Sequence, residues 1–193
     1  MEAMQIDLKS EVNKLFMLIH NTSLLQFNNY CMVDDFQKHE IDSKKTKLHA
    51  HWISFILVAS KPLKITFKTH YAIEDIKLIV AKTLSHNETD ITDEQVTDFM
   101  KEFCNLCAGN VKKQLLNCVE MGISLPLIAR GFDEIFMPAE KENLFKDYWK
   151  LHSKSFNVAV VCSADLEIMD RDSIAKMQFN IDGSSQNDEI DFF

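Results

Sequence analysis

Thr92-Asp93-Glu94-Gln95-Val96-Thr97-Asp98-Phe99-Met100-Lys101-Glu102-Phe103-Cys104-Asn105-Leu106-Cys107-Ala108-Gly109-Asn110-Val111 opens a long helical pattern. Thr92 stands three residues before Gln95. That is the spacing of a capping box, in which the Thr hydroxyl accepts the backbone N–H of the third helical residue and the Gln side chain reaches back. No proline or strong breaker interrupts the pattern before about Met121, and Gly122 is the expected stop. At about 100° per residue, Val96, Phe99, Phe103, Leu106, Cys107, Val111 and Cys118 form one broad apolar face, which belongs to a core. Asp98, Glu102, Asn105 and Gly109 follow one another at steps of four, three and four, so they form one polar stripe pointing away from that core. The glycine lets another surface come close.

Upstream, Ile6, Leu8, Val12, Leu15, Phe16, Leu18 and Ile19 recur mostly at helical steps and predict an amphipathic helix from Gln5 to His20. Residues 28–47 are polar and end in Lys44-Lys45-Thr46-Lys47, which reads as a surface connection holding at most one short strand. Leu48–Ala59 and Leu63–Tyr71 are β-branched and aromatic, and Ser60-Lys61-Pro62 between them completes a hairpin. Ala72–Leu84 returns to helical spacing. Beyond Gly122, strands are expected over Ile123–Phe136 and Ser155–Met169, with a short helix over Glu140–Leu151 between them. This order predicts an α+β sandwich, an antiparallel sheet with long helices on one face. A helix followed by strands occurs twice, the pattern of a weak internal duplication.

The chain has 193 residues, 46% of them hydrophobic with 14 Phe, which is enough to close a core. Its formal net charge is −8, which repels phosphate backbones and anionic membranes, so nucleic acid and membrane surfaces are excluded as expected partners. The acidic N-terminal Met1–Asp7 does not read as a signal peptide, and a cytoplasmic protein is expected. Five scattered cysteines suit reduced thiols. Cys104-x-x-Cys107 has no second pair to complete a zinc site, and His49 and His51 read as a polar sheet face, so no metal site is expected. The sequence holds no phosphate-binding glycine loop and no Gly-x-Ser-x-Gly elbow, which argues against nucleotide cofactors and covalent hydrolases.

Asp98-x-x-x-Glu102-x-x-Asn105, then Ala108-Gly109-Asn110, then Gly122-Ile123-Ser124-Leu125-Pro126, resembles the signature of the CheC/CheX/FliY family of chemotaxis phosphatases. The resemblance implies a CheC-like sandwich and removal of the phosphoryl group from the aspartyl phosphate of a CheY-like response regulator. It implies that Asn105 orients the attacking water and that Glu102 pairs with the regulator's active-site lysine. Asp98 and Gly109 would support docking, and Asn110 is read as a buried amide bonded to neighbouring backbone. The regulator would bring its own metal ion, so this chain needs no cofactor. A second copy of the motif is expected to be absent, because in Asp7-x-x-x-Glu11-x-Asn13 the Asn comes one residue early and is rotated by about 100°. The expectation is therefore a single-site, CheX-like domain over residues 1–172, a homodimer, with an acidic tail over 173–193. A non-catalytic adaptor of the same fold is the alternative. The terminal Glu189, Ile190, Asp191, Phe192 and Phe193 resemble short acidic peptides that hold a CheY-like regulator, which would make the tail a tether.

Overall fold

The computed structural model describes residues 8–41, 52–130 and 142–177. Helix α1 spans Leu8–Cys31, strand β1 Phe36–Glu40, β2 Trp52–Ala59, β3 Leu63–Tyr71 and helix α2 Ile73–Leu84. A 3-10 turn at Glu88–Asp90 leads into α3, Asp93–Leu115. Strands β4 (Gly122–Ile123), β5 (Leu127–Arg130), β6 (Leu144–Ser153) and β7 (Val158–Ile168) follow, and α4 (Arg171–Ala175) closes the order. The strands form a seven-stranded sheet in the order β1-β6-β7-β3-β2-β4, with β5 also on β2, and every pairing is antiparallel.

The duplication is visible in that order. Helix, strands and helix (α1-β1-β2-β3-α2) are followed by the same series (α3-β4/β5-β6-β7-α4), and the two halves interlock: β3 pairs with β7 at the centre, β1 with β6 on one side and β2 with β4 and β5 on the other. Alternate residues of the central strands, Leu63, Ile65 and Phe67 on β3 with Val160, Cys162, Ala164 and Leu166 on β7, are buried. They follow the period of two that a sheet with one covered face requires. Helices α1 and α3 pack on each other and on this face. Aromatic rings tie the layers together: Phe103 of α3 meets Phe27 of α1 at 4.6 Å and Phe67 of β3 at 5.9 Å, and Phe67 meets Trp149 of β6 at 6.0 Å.

Four readings of the sequence are corrected. Helix α1 does not end near His20 but runs to Cys31, because Phe27 and Cys31 continue its buried face against α3 and β1. Helix α3 ends at Leu115 rather than Met121. The N–H groups of Cys118 and Val119 both bond to the Leu115 carbonyl, at 2.9 and 3.0 Å, which turns the chain toward the sheet. Gly122, expected as a helix stop, instead opens β4 opposite Ala59. Finally, 144–151 is strand: β6 is hydrogen-bonded on both sides, to β1 and β7, and Trp149 and Leu151 are buried on the helical side of the sheet. Helix α4 seats Ile174 in the core and Met177 beside it, carrying the packed body past residue 172.

The expected strand at 131–136, the basic run at 44–47, His49 and His51, and the tail residues Glu189–Phe193 lie outside the described residues. Among the described residues no helix is long and apolar enough to cross a membrane, and no group of three or more His, Cys, Asp or Glu is arranged to hold a metal ion.

A polar network pins α1 to β6. His20 Nε2 lies 3.1 Å from Asp147 Oδ2, Lys38 Nζ lies 3.3 Å from His20 Nδ1, and Trp149 Nε1 donates to Ser23 Oγ at 3.0 Å. Burial opposes the charge on Asp147, but the close approach of the His20 ring, the hydrogen bond from the Tyr148 N–H and the charge of Lys38 outweigh it and hold the carboxyl below its usual range. A carboxylate with a depressed folded-state pKa stabilises the fold above its unfolded value of about 3.9, and that contribution is lost as pH falls through the folded value. Urea unfolding at pH 7 and at pH 3 tests this. Asp147→Asn should lower stability at pH 7 and flatten the acid limb, and an acid limb identical to that of the parent would exclude the linkage.

Candidate functional site

The capping box predicted for α3 is formed: Gln95 N–H donates to Thr92 Oγ1 at 3.2 Å and Thr92 N–H donates to Gln95 Oε1 at 2.8 Å. The rotation of the helix about its axis is set by what it buries. Val96, Phe99, Met100, Phe103, Cys104, Cys107, Ala108, Val111 and Leu115 face inward. Cys104 Sγ reaches the Ser54 carbonyl of β2 at 3.6 Å, and burial pushes its thiol up to about 12. Burial likewise raises the Cys107 and Cys162 thiols well above their ordinary value, so these sulfurs stay protonated and are poor nucleophiles.

With that face turned in, Asp98, Glu102, Asn105 and Gly109 are all exposed along one line. Asn105 Nδ2 donates to Glu102 Oε2 at 3.4 Å, so the carboxylate and the carboxamide stand side by side. Asp98 makes an ion pair with Lys101. A Cβ built on Gly109 meets nothing within 4 Å, so the fold itself does not call for a glycine there. Asn110 departs from its expected setting: it is half-buried, and its Oδ1 accepts from the side chain of Gln114, at 2.9 Å, rather than from backbone. In α1, Glu11 is tied to Lys14 at 2.8 Å while Asn13 is exposed, so these two form no counterpart of the Glu102–Asn105 pair.

A cleft of about 620 Å3 runs beside the stripe, bounded by Tyr30, Leu84, Asp98, Lys101, Glu102 and Pro126 among others. Tyr30 lies in the last turn of α1, where the polar sequence from residue 28 onward reads as a connection. Its ring stacks on Phe99 at 4.3 Å, and burial together with the nearby Glu102 charge pushes its hydroxyl up to about 12. Pro126 belongs to the motif, and its place has a physical reason. The edge strand formed by β4 and β5 is broken at 124–126, where Ser124 N–H bonds to the Leu57 carbonyl at 2.9 Å and Leu57 N–H to Ser124 Oγ at 3.0 Å. A proline cannot donate to the ladder, so the chain leaves the sheet there and brings Leu125 and Pro126 to the cleft. The only sequence signal for this wall was the proline itself; Tyr30 and Leu84 had none.

Residues 69–145 match the family described as chemotaxis phosphatase CheX. Over this stretch the chain is similar to CheX. A CheC-like superfamily protein from Shewanella sp. PV-4 superposes with TM-score 0.61 at 16% identity, covering 80% of this chain and 97% of its own. A chain of the CheX–CheY–BeF3–Mg2+ complex from Borrelia burgdorferi does so with TM-score 0.61 at 14% identity, covering 84% and 99%. The chemotaxis protein CheX from Vibrio vulnificus gives TM-score 0.59 at 13% identity, covering 82% and 99%. At these identities the likeness is one of fold. Among curated proteins none matches the sequence significantly.

The exposed glycine of this CheX-like helix makes a stability test. A helical glycine costs about 0.5–1 kcal/mol relative to alanine, and no neighbour obstructs the added methyl. Gly109→Ala should therefore stabilise the protein by about that amount, read as a higher urea midpoint at unchanged slope. A lower midpoint would mean that the glycine serves the fold.

Proposed function

We propose that this chain is a phosphatase that removes the phosphoryl group from the aspartyl phosphate of a CheY-like response regulator in chemotaxis signalling. One observation carries the reading: Glu102 and Asn105 stand together and exposed, one turn before a glycine that shields nothing, on a CheX-like fold. The solved complex of a CheX with CheY, beryllium fluoride and magnesium supports the choice of partner. The regulator binds in the cytoplasm and brings its own metal ion; this chain uses no cofactor.

The chemistry asked of the chain is small. Water oxygen forms a bond to phosphorus, the bond from phosphorus to the acyl oxygen breaks, and its electron pair stays on the regulator's carboxylate. Both water protons leave with the phosphate, as dihydrogen phosphate, so no separate base is required. An acyl phosphate is already activated, and what is missing is a water held in line. Asn105 supplies that, its amide oxygen accepting a water O–H while Nδ2 is engaged by Glu102. Glu102 pairs with the regulator's lysine and fixes how the helix enters. Gly109 allows the regulator's backbone to approach the next turn.

Phosphate release from a regulator charged by a small phosphodonor tests the reading. The protein should accelerate it, and Asn105→Ala should lower the turnover number by about 100-fold, the usual cost of losing alignment, while docking stays nearly unchanged. Glu102→Ala should weaken docking and turnover together. A regulator that dephosphorylates no faster with the protein, yet binds it, would leave a non-catalytic adaptor of the same fold.

A homodimer is part of the same proposal. Strand β1 pairs only with β6 among the described residues, and the bonding groups on its other edge need pairing or protection. Sedimentation at high protein concentration should show a dimer; a monomer there would remove this part.

A further inference from the structure

We propose that Lys101 is a further residue of this site, an ammonium that meets the phosphoryl oxygens of the partner, and that Asp98 positions it. The inference rests on the reading of the stripe as the surface that docks a phosphorylated regulator, and it names what makes that docking selective for the phosphorylated state.

The charges around the cleft state the problem. Among the described residues its lining holds two carboxylates, Asp98 and Glu102, and one cation, Lys101. An acyl phosphate is a dianion, and a water-poor interface strengthens its repulsion from carboxylates brought near it. A surface with Glu102 at its centre would on charge alone favour the unphosphorylated partner. A cation at the stripe reverses that preference, provided that it stands on the phosphoryl side of Glu102 rather than against it.

Helical geometry places Lys101 next to Asn105 and not next to Glu102. Lys101 is four residues before Asn105, so the two side chains lie on one line of the helix, about 40° apart and one turn distant. Glu102 lies about 100° round from Lys101, on the other side of Asn105. The carboxamide that would hold the water is thus flanked by an acid on one side and a base on the other. The lysine stem of four methylenes reaches back to Asp98 in the free protein, and turned the other way it is long enough to span the turn that separates Lys101 from the water position.

The ion pair with Asp98 explains why the ammonium is available. Lys101 Nζ lies 2.5 Å from Asp98 Oδ1, with 33% of the lysine side chain and 59% of the aspartate side chain exposed. Lys101 pairs with Asp98 and not with its sequence neighbour Glu102, whose hydrogen bond comes from Asn105 and leaves room for the regulator's lysine. Exposed pairs of this kind contribute little net stability, so the ammonium can exchange Asp98 for a phosphoryl oxygen at small cost. Asp98 is therefore a positioning residue, and its place one turn before Glu102 follows from the lysine it holds.

The test compares affinities for an Mg2+-bound CheY-like regulator with and without beryllium fluoride, which stands in for the phosphoryl group. Wild type should favour the loaded regulator. Lys101→Gln should reduce that preference by about tenfold, the usual weight of one charge-assisted hydrogen bond, with affinity for the unloaded regulator nearly unchanged. Lys101→Arg should restore most of it. A Lys101→Gln variant that keeps the full preference, or that loses affinity for both forms equally as a simple rim contact would, overturns the assignment. So does a wild type with no preference for the loaded regulator. The phosphatase reading fails separately: a wild type that prefers the loaded regulator through Lys101 yet releases no phosphate is a phosphorylation-selective adaptor.

Discussion

The burial of Phe103 between Phe27 of α1 and Phe67 of β3 is the contact on which the arrangement of this molecule turns. Phe103 is fully buried, and replacing such a ring by alanine typically costs about 3–5 kcal/mol. Because successive side chains of a helix are about 100° apart, seating both Phe103 and Cys104 inward turns Glu102 and Asn105 about 150° away from the sheet. Cys104, whose thiol reaches the Ser54 carbonyl, anchors the same turn from the other side. The polar stripe is exposed because its neighbours in sequence are held, and the precision of the stripe is that of the core beneath it.

The fold repeats a helix–strands–helix unit, yet only one of the two long helices displays the acid and the amide together. In α1, Glu11 is spent on Lys14 and the following asparagine comes a residue too soon. What α1 contributes instead is Tyr30, stacked on Phe99 at the edge of the cleft. One copy of the unit thus displays the acid–amide pair and the other supplies a wall for the cleft beside it. The broken edge strand at Ser124-Leu125-Pro126 closes the opposite side. Three segments far apart in sequence converge on a helix face that would otherwise be an ordinary polar surface.

Charge at this face is arranged by small separations rather than by burial. Asp98 and Lys101 neutralise each other, while Glu102 takes a hydrogen bond from Asn105 and no lysine. Among the described residues the stripe thus carries one neutralised pair and one carboxylate bonded to an amide, in a chain of net charge −8.

Much of this was legible in the sequence. The capping box at Thr92, the 100° stepping of α3 and the hairpin around Ser60-Lys61-Pro62 are local: each depends on side chains within a few residues, and each formed as expected. The stripe of Asp98, Glu102, Asn105 and Gly109 is a consequence of the same periodicity. The far end of α1, the early end of α3 and the identity of β6 were not legible, because partners distant in the chain decide them. Leu144–Ser153 puts Asp147 and Ser153 on its helical side alongside Trp149 and Leu151, so its alternation is blurred until β1 and β7 supply hydrogen bonds on both edges. The cleft likewise has no sequence signature beyond Pro126, since Tyr30, Leu84 and Leu125 meet at α3 only after the sheet has formed. The sequence by itself determined which residues share a helix face, because that follows from backbone geometry; only the tertiary structure decided what stands beside that face, because long-range pairing and core packing choose it.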